Sequence, residues 1–167
     1  FVLESCEYKG NFLNFNPNSA VILNIDNDHL DYYKTFENVV KAFNTFAGIV
    51  DSNGVLVTNA DDENCLNLKN YTNAKFVTYG IRNKNADFTA ENIVFDDNGF
   101  AEFDCLKNGE KYLHVKLSIA GEHNVSNAMA CIGICDFYNV DKNAICEALK
   151  KFTGASRRLE YKGSFSP

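Results

Sequence analysis

No run of apolar residues in this chain approaches the roughly 20 needed to cross a bilayer as a helix, and no basic segment with a cleavage site opens it. A cytoplasmic protein without a membrane partner is the expectation. Positive charge is also in short supply. Lys and Arg total 16 against 22 Asp and Glu, giving a formal net charge of −6 and a pI near 5.0. That balance argues against an extended nucleic-acid surface, although a local pocket can still attract phosphate. The six cysteines (Cys6, Cys65, Cys105, Cys131, Cys135 and Cys146) include no C-x-x-C pair, and no histidine stands at zinc-finger spacing from any two of them. They read as reduced, buried thiols packing as small apolar groups, with Cys131 and Cys135 on one helix face. A Gly/Ser/Pro linker, an internal repeat and a low-complexity tract are missing too, so nothing inside the chain marks a division.

What is present suits one well-cored domain: 167 residues, 46% hydrophobic and 13% aromatic. The chain opens at Phe1 inside what reads as a strand and stops at "SFSP". A piece of a larger protein is therefore expected.

Short apolar runs with β-branched residues, "FVLE" (1–4) and "AVILNI" (20–25), suit strands buried on both faces. From Phe36, the residues Val39, Val40, Phe43, Phe46, Ala47 and Val50 recur at helical spacing and give one apolar face. "GVLVTN" (54–59) is another buried strand, "DDENCLNL" (61–68) opens with acids suited to a helix start, and "KFVTYG" (75–80) is again a strand. The βαβαβ order predicts an α/β fold, a mostly parallel sheet flanked by helices. Residues 87–119 differ: three strand-like stretches joined by "DDNG" and "KNGE" predict a small antiparallel three-stranded subsheet. Two helices follow, one over 122–138 and one after Asp141, a candidate N-cap with Val140 placed to staple against Ile145.

Three constellations carry chemistry. Glu4 ends the first run, and Asp26, Asp28, His29 and Asp31 follow the second; ligands of open parallel sheets bind beyond such carboxyl ends. Mg2+ needs few protein ligands, so Glu4 with one neighbour would suffice, His29 reaching a second ion or a phosphate oxygen. A turn capped by Asp28 or Asp31, with His29 a half-buried hydrogen-bonder, satisfies the same spacing. In "GEHNVSN" (121–127), His123, Asn124 and Asn127 share the first turns of a helix, where an amide can offer the donor and acceptor that an adenine edge requires, or can merely cap backbone. Arg157 and Arg158 present planar forks matched to phosphate, or form a plain surface basic pair.

Taken together, "FVLESCEYKGNFL", "AVILNIDNDHLDYY", "TNADDEN", "ADFTAENI", "GEHNVSNAMACIGI" and "FTGASRRLEYKG" resemble, in order and spacing, the central domain of the Mur ligases. The likeness covers essentially residues 1–167 as one partial central domain and is strongest to the branch that joins L-alanine to UDP-N-acetylmuramate in peptidoglycan synthesis. It implies a P-loop-type fold and an ATP- and Mg2+-dependent amide ligase working through an acyl phosphate. It also implies small-molecule substrates and companion N- and C-terminal domains, for the UDP group and the amino acid respectively. By the same resemblance Glu4 binds magnesium, and His29 lies near a second ion and the acyl phosphate. His123, Asn124 and Asn127 hold adenine, Arg157 contacts the ATP phosphates, and Arg158 serves the reaction at the muramate end.

The departures are specific. No G-x-x-x-x-G-K-[ST] occurs, so the phosphate-cradling loop of the family is not in these residues and the fragment alone is expected to be inactive. "ESCEYK" stands where "EADESD" is commoner, which leaves the role of Glu7 open. Rival readings are a murein-peptide recycling ligase or another Mur ligase, a noncatalytic nucleotide-binding module, and a metal phosphohydrolase built on the D-x-D-H cluster.

Overall fold

The computed structural model describes residues 1–155 and arranges them around a six-stranded sheet, ordered β1 to β6 in sequence. Strands β1 (Ala20–Ile22), β2 (Val55–Asn59) and β3 (Lys75–Gly80) are parallel, and β4 (Phe88–Phe95) pairs parallel to β3. β5 (Phe100–Lys107) and β6 (Glu110–Ala120) continue as antiparallel neighbours. The expected α/β class holds, with one adjustment: the antiparallel strands are continuous with the parallel sheet. Only seven residues join β3 to β4, too few for a full crossover, so β4 pairs with β3 only through Tyr79↔Phe88 and Gly80↔Thr89. The rest of β4 and its two partners overhang the carboxyl end of β3. Asn108 and Gly109, both at positive φ, close the β5–β6 hairpin between Lys107 and Glu110, the two-residue turn that Asn-Gly favours.

β2 is buried on both faces. Val55 and Val57 belong to a core cluster under α4 (Glu122–Phe137), while Leu56 belongs to a second cluster under α2 (Phe36–Ile49). α4 is built to lie close: Gly133 brings its backbone so near the sheet that a Cβ there would stand 3.1 Å from Val57 Cγ1. α2 turns Val39, Phe46 and Ala47 inward, as its spacing predicts. Thr35 caps its start by accepting from Asn38 N. α5 (Lys142–Lys151) packs on β6, capped by Asp141 as expected, whose Oδ1 accepts from the amides of Asn143 and Ala144 at 3.0 Å. Two single-turn helices, α1 (Leu30–Tyr33) and α3 (Glu63–Asn67), lie in the loops after β1 and β2.

Three expectations need correction. Residues 1–4 form no strand: Phe1 and Val2 are fully exposed, and among the described residues no neighbouring strand offers them a ladder. β1 is shorter than "AVILNI" and covered on one side only, because Val21 and Leu23 are exposed toward an open groove instead of a sheet neighbour's helix. Of the cysteines only Cys65 and Cys105 are buried; Cys6 and Cys131 are exposed, and Cys135 and Cys146 are half-buried.

Candidate active site

The loops that leave the carboxyl ends of β1, β2 and β3 are tied to one another by carboxylates. Asp62 accepts from Ile25 N at 2.9 Å through one oxygen, and through the other caps α3 at Asn64 N (2.8 Å) and Cys65 N. Its neighbour Asp61 accepts from the amides of Ile81 (2.8 Å), Arg82 and Asn83 (2.6 Å) in the loop after β3. Arg82 in turn approaches Glu122 at 3.4 Å, at the first residue of α4. A continuous rim therefore runs from the loop after β1 to the start of α4. The aspartate pair was legible only as a helix start; that the first acid comes too early for the cap was the one hint of Asp61's separate task.

At one end of this rim sits the acidic segment after β1. His29 takes a left-handed backbone (φ 55, ψ 37), and its carbonyl accepts from Tyr32 N and Tyr33 N at 3.0 Å. Asp28 Oδ1 accepts from His29 N at 2.6 Å. The imidazole is thereby aimed at Glu7, with Nε2 to Oε1 at 3.3 Å, and Tyr8 packs beside it with ring centroids 5.0 Å apart. Tyr8 also donates to Asp31 at 3.2 Å, and that hydrogen bond raises the phenol above its ordinary range. Glu4, Glu7, Asp26 and Asp28 line one open groove of about 1350 Å³ bounded by residues 1–5 and β1. Glu4 is exposed on that groove and does not end a strand as expected. Each of these carboxylates offers the oxygen ligands that Mg2+ takes alongside several waters, so their chemistry fits that ion. Among the described residues, however, the three ligand atoms that converge are those of Cys6, Glu7 and His29.

At the other end, His123, Asn124 and Asn127 do gather on the first turns of α4. Asn124 Nδ2 donates to Ala120 O at 2.8 Å and lies 3.1 Å from His123 Nε2, while Asn127 Nδ2 donates to Asn124 Oδ1 at 3.3 Å. Gly121 (φ 102) makes the approach possible, since a Cβ there would meet the His123 ring at 2.7 Å. His123 and Asn127 are exposed and Asn124 half-buried, so polar atoms of the cluster stay available to a ligand. Arg157 and Arg158 lie outside the described residues.

Burial pushes the thiols of Cys65 and Cys105 up to about 12, well away from the reactive thiolate form. Cys6, expected to be buried, instead stands beside Glu7 and His29, with one ligand atom of each residue within 4.8 Å of the others. Its place between two acids in "ESCEYK" is the one hint in the sequence, and it does not fix whether the thiol faces core or solvent.

The family model of the Mur ligase middle domain matches residues 1–135. The chain is 44% identical over 163 residues to the UDP-N-acetylmuramate--L-alanine ligase of Acetivibrio thermocellus, covering 98% of this chain and 35% of the relative. It is 47% identical over 163 residues to the enzyme of the same name from Caldicellulosiruptor saccharolyticus, covering 97% and 35%. Among solved structures, the UDP-N-acetylmuramate-alanine ligase of Thermotoga maritima superposes with a TM-score of 0.79 at 32% identity, over 92% of this chain and 33% of that one. The chain spans about a third of the length of the curated relatives it matches. With most of its residues matched by the middle-domain model and its sheet superposing on a solved alanine ligase, the chain belongs to the Mur ligase family.

Proposed function

We propose that this chain is the nucleotide- and metal-binding middle domain of a cytoplasmic UDP-N-acetylmuramate--L-alanine ligase, an ATP-dependent, ADP-forming enzyme of peptidoglycan synthesis. The observation that carries the reading is the tied rim, which gathers the acidic groove and the His123, Asn124 and Asn127 cluster onto linked loops at one edge of the sheet. In the reaction the muramate carboxylate attacks the γ-phosphorus of ATP, ADP leaves, and an acyl phosphate remains. The alanine amine then attacks the carbonyl carbon, phosphate departs and the nitrogen loses a proton.

Both steps crowd anions together. Bound Mg2+ supplies charge neutralisation for the phosphates. Glu4 is the residue that would hold it, with His29 serving a second ion and the acyl phosphate. His123, Asn124 and Asn127 orient adenine through their amide and imidazole edges. Arg157 and Arg158, by the family resemblance, meet the ATP phosphates and the muramate end. The phosphate-cradling loop and the grips for UDP and alanine belong to other parts of the polypeptide, so residues 1–167 alone turn over nothing.

The test is ADP release by the full-length protein. The reading expects it to require both UDP-N-acetylmuramate and L-alanine; release unchanged when alanine is omitted would point to a hydrolase and contradict the proposal.

A further inference from the structure

We propose that Cys6, Glu7 and His29 form a binding site for a borderline-soft divalent cation of the Zn2+ class. One ligand atom from each residue, the Cys6 sulfur, a Glu7 carboxylate oxygen and a His29 ring nitrogen, lies within 4.8 Å of the other two. His29 Nε2 and Glu7 Oε1 are 3.3 Å apart. That is about the edge of a tetrahedron whose oxygen and nitrogen ligands sit at roughly 2.0–2.2 Å from zinc. Three protein donors leave the fourth position to water.

The donors come from two segments that the fold fixes against each other. The Cys6 carbonyl accepts from Phe12 N at 3.0 Å, and the Glu7 carbonyl accepts from Gly10 N at 2.9 Å and from the Tyr33 hydroxyl. On the opposite side His29 is pinned by its left-handed backbone and by Asp28. The Asp28 carboxylate also lies 3.7 Å from Nδ1, beyond hydrogen-bond reach, and adds negative charge on the outer side of the ring. A thiolate among the donors separates this site from a magnesium site. Mg2+ seeks an octahedron of oxygens, whereas thiolate with imidazole selects zinc and its congeners. Binding displaces the Cys6 thiol proton to solvent, and Cys6 is exposed enough for both ion and proton to pass. Because His29 is shared with the proposed catalytic rim, the consequence rests on that reading, although the site itself does not: an ion held here takes His29 away from the acyl phosphate, so Zn2+ inhibits.

The experiment titrates the full-length, chelator-treated protein with Co2+ alone and then Zn2+ alone. We expect one equivalent of Co2+ to produce a near-ultraviolet thiolate-to-cobalt band that Cys6→Ala and Cys6→Ser abolish and that Cys131→Ala, at the other exposed cysteine, preserves. Zn2+ affinity should fall at least about tenfold in Cys6→Ala and in Glu7→Gln. A wild-type protein without the band, or a band unchanged in both Cys6 variants, overturns the proposal. Cys6→Ala should also keep Mg2+-supported turnover while losing sensitivity to Zn2+. Failure of the ligase reading shows separately, as absent ADP formation in a protein that still yields the cobalt band.

Discussion

His29 carries a conformational cost that its neighbours share out. A left-handed backbone at a non-glycine residue is uncommon, and asparagine tolerates it better than alanine does. Substituting His29→Asn should therefore keep the fold while removing the imidazole. We expect turnover of the full-length enzyme to fall by at least about a hundredfold, in the range usual for loss of a positioned catalytic group, with the thermal midpoint little changed. An early-melting variant with normal turnover would show that His29 only packs. Asn124 lies at the other end of the rim with its amide nitrogen already engaged by Ala120 O and its oxygen by Asn127. Asn124→Ala should weaken ATP binding by roughly 1 to 3 kcal/mol, the usual loss when a buried polar partner is orphaned. Calorimetry showing unchanged affinity would take Asn124 out of the proposed adenine site. Residue type and spacing drew attention to these side chains but left the capping readings open; their assignment to ion and adenine came from the family resemblance. Cys6 was not legible as a site, since nothing in a linear pattern says whether a lone thiol faces core or solvent.

Among the elements, α4 shows how small residues set a distance. Gly133→Val would drive two methyl groups into Val57 and Val77, and overpacking of this kind costs about 1–3 kcal/mol. A lowered urea midpoint is expected; an unchanged one would mean that α4 can lift from the sheet at no cost. The antiparallel strands carry a different device on their open face. His114 Nδ1 meets Asp104 at 2.8 Å and its Nε2 meets Glu102 at 2.7 Å, with Lys111 and Lys116 closing on the same carboxylates. Asp104 and Glu102 raise the imidazole above its ordinary range. Lys116 and then His114 hold Glu102 below its own, and Lys111, Asn92 and His114 hold Asp104 well below. The histidine's contribution is whole below its unfolded value of about 6.5 and disappears as pH rises through its folded value. The carboxylates' contribution is present above their unfolded values near about 4 and disappears on acidification. The network is thus strongest between about pH 4.5 and 6.5. His114→Gln should lower the melting temperature at about pH 5.5 and much less at about pH 8.5; equal losses at both would leave the histidine's charge without a role. Strand positions in residues 54–120 and both long helices beside them were readable from period and turn chemistry, because local pattern and tertiary burial agree there. The first run failed as a strand since apolar composition cannot supply a hydrogen-bonding neighbour.

For the molecule as a whole, the organising feature is the chain of ties from Ile25 through Asp62, Asp61 and Arg82 to Glu122. No periodicity reveals such ties, because each joins residues 21 to 40 positions apart. They run from the loop beside the acidic groove to the start of the helix that carries the amide cluster, the last link being an exposed ion pair. Family likeness pointed to the same groups, but only the fold shows how separate loops are fastened to each other. The account's central claim is that this edge receives the metal at one end and the adenine at the other. A structure of the full-length protein with a non-hydrolysable ATP analogue and Mg2+ tests it most directly. The account predicts the ion at Glu4 and the adenine edge against Asn124 and Asn127; an analogue bound on the far side of the sheet, with both clusters untouched, would contradict it.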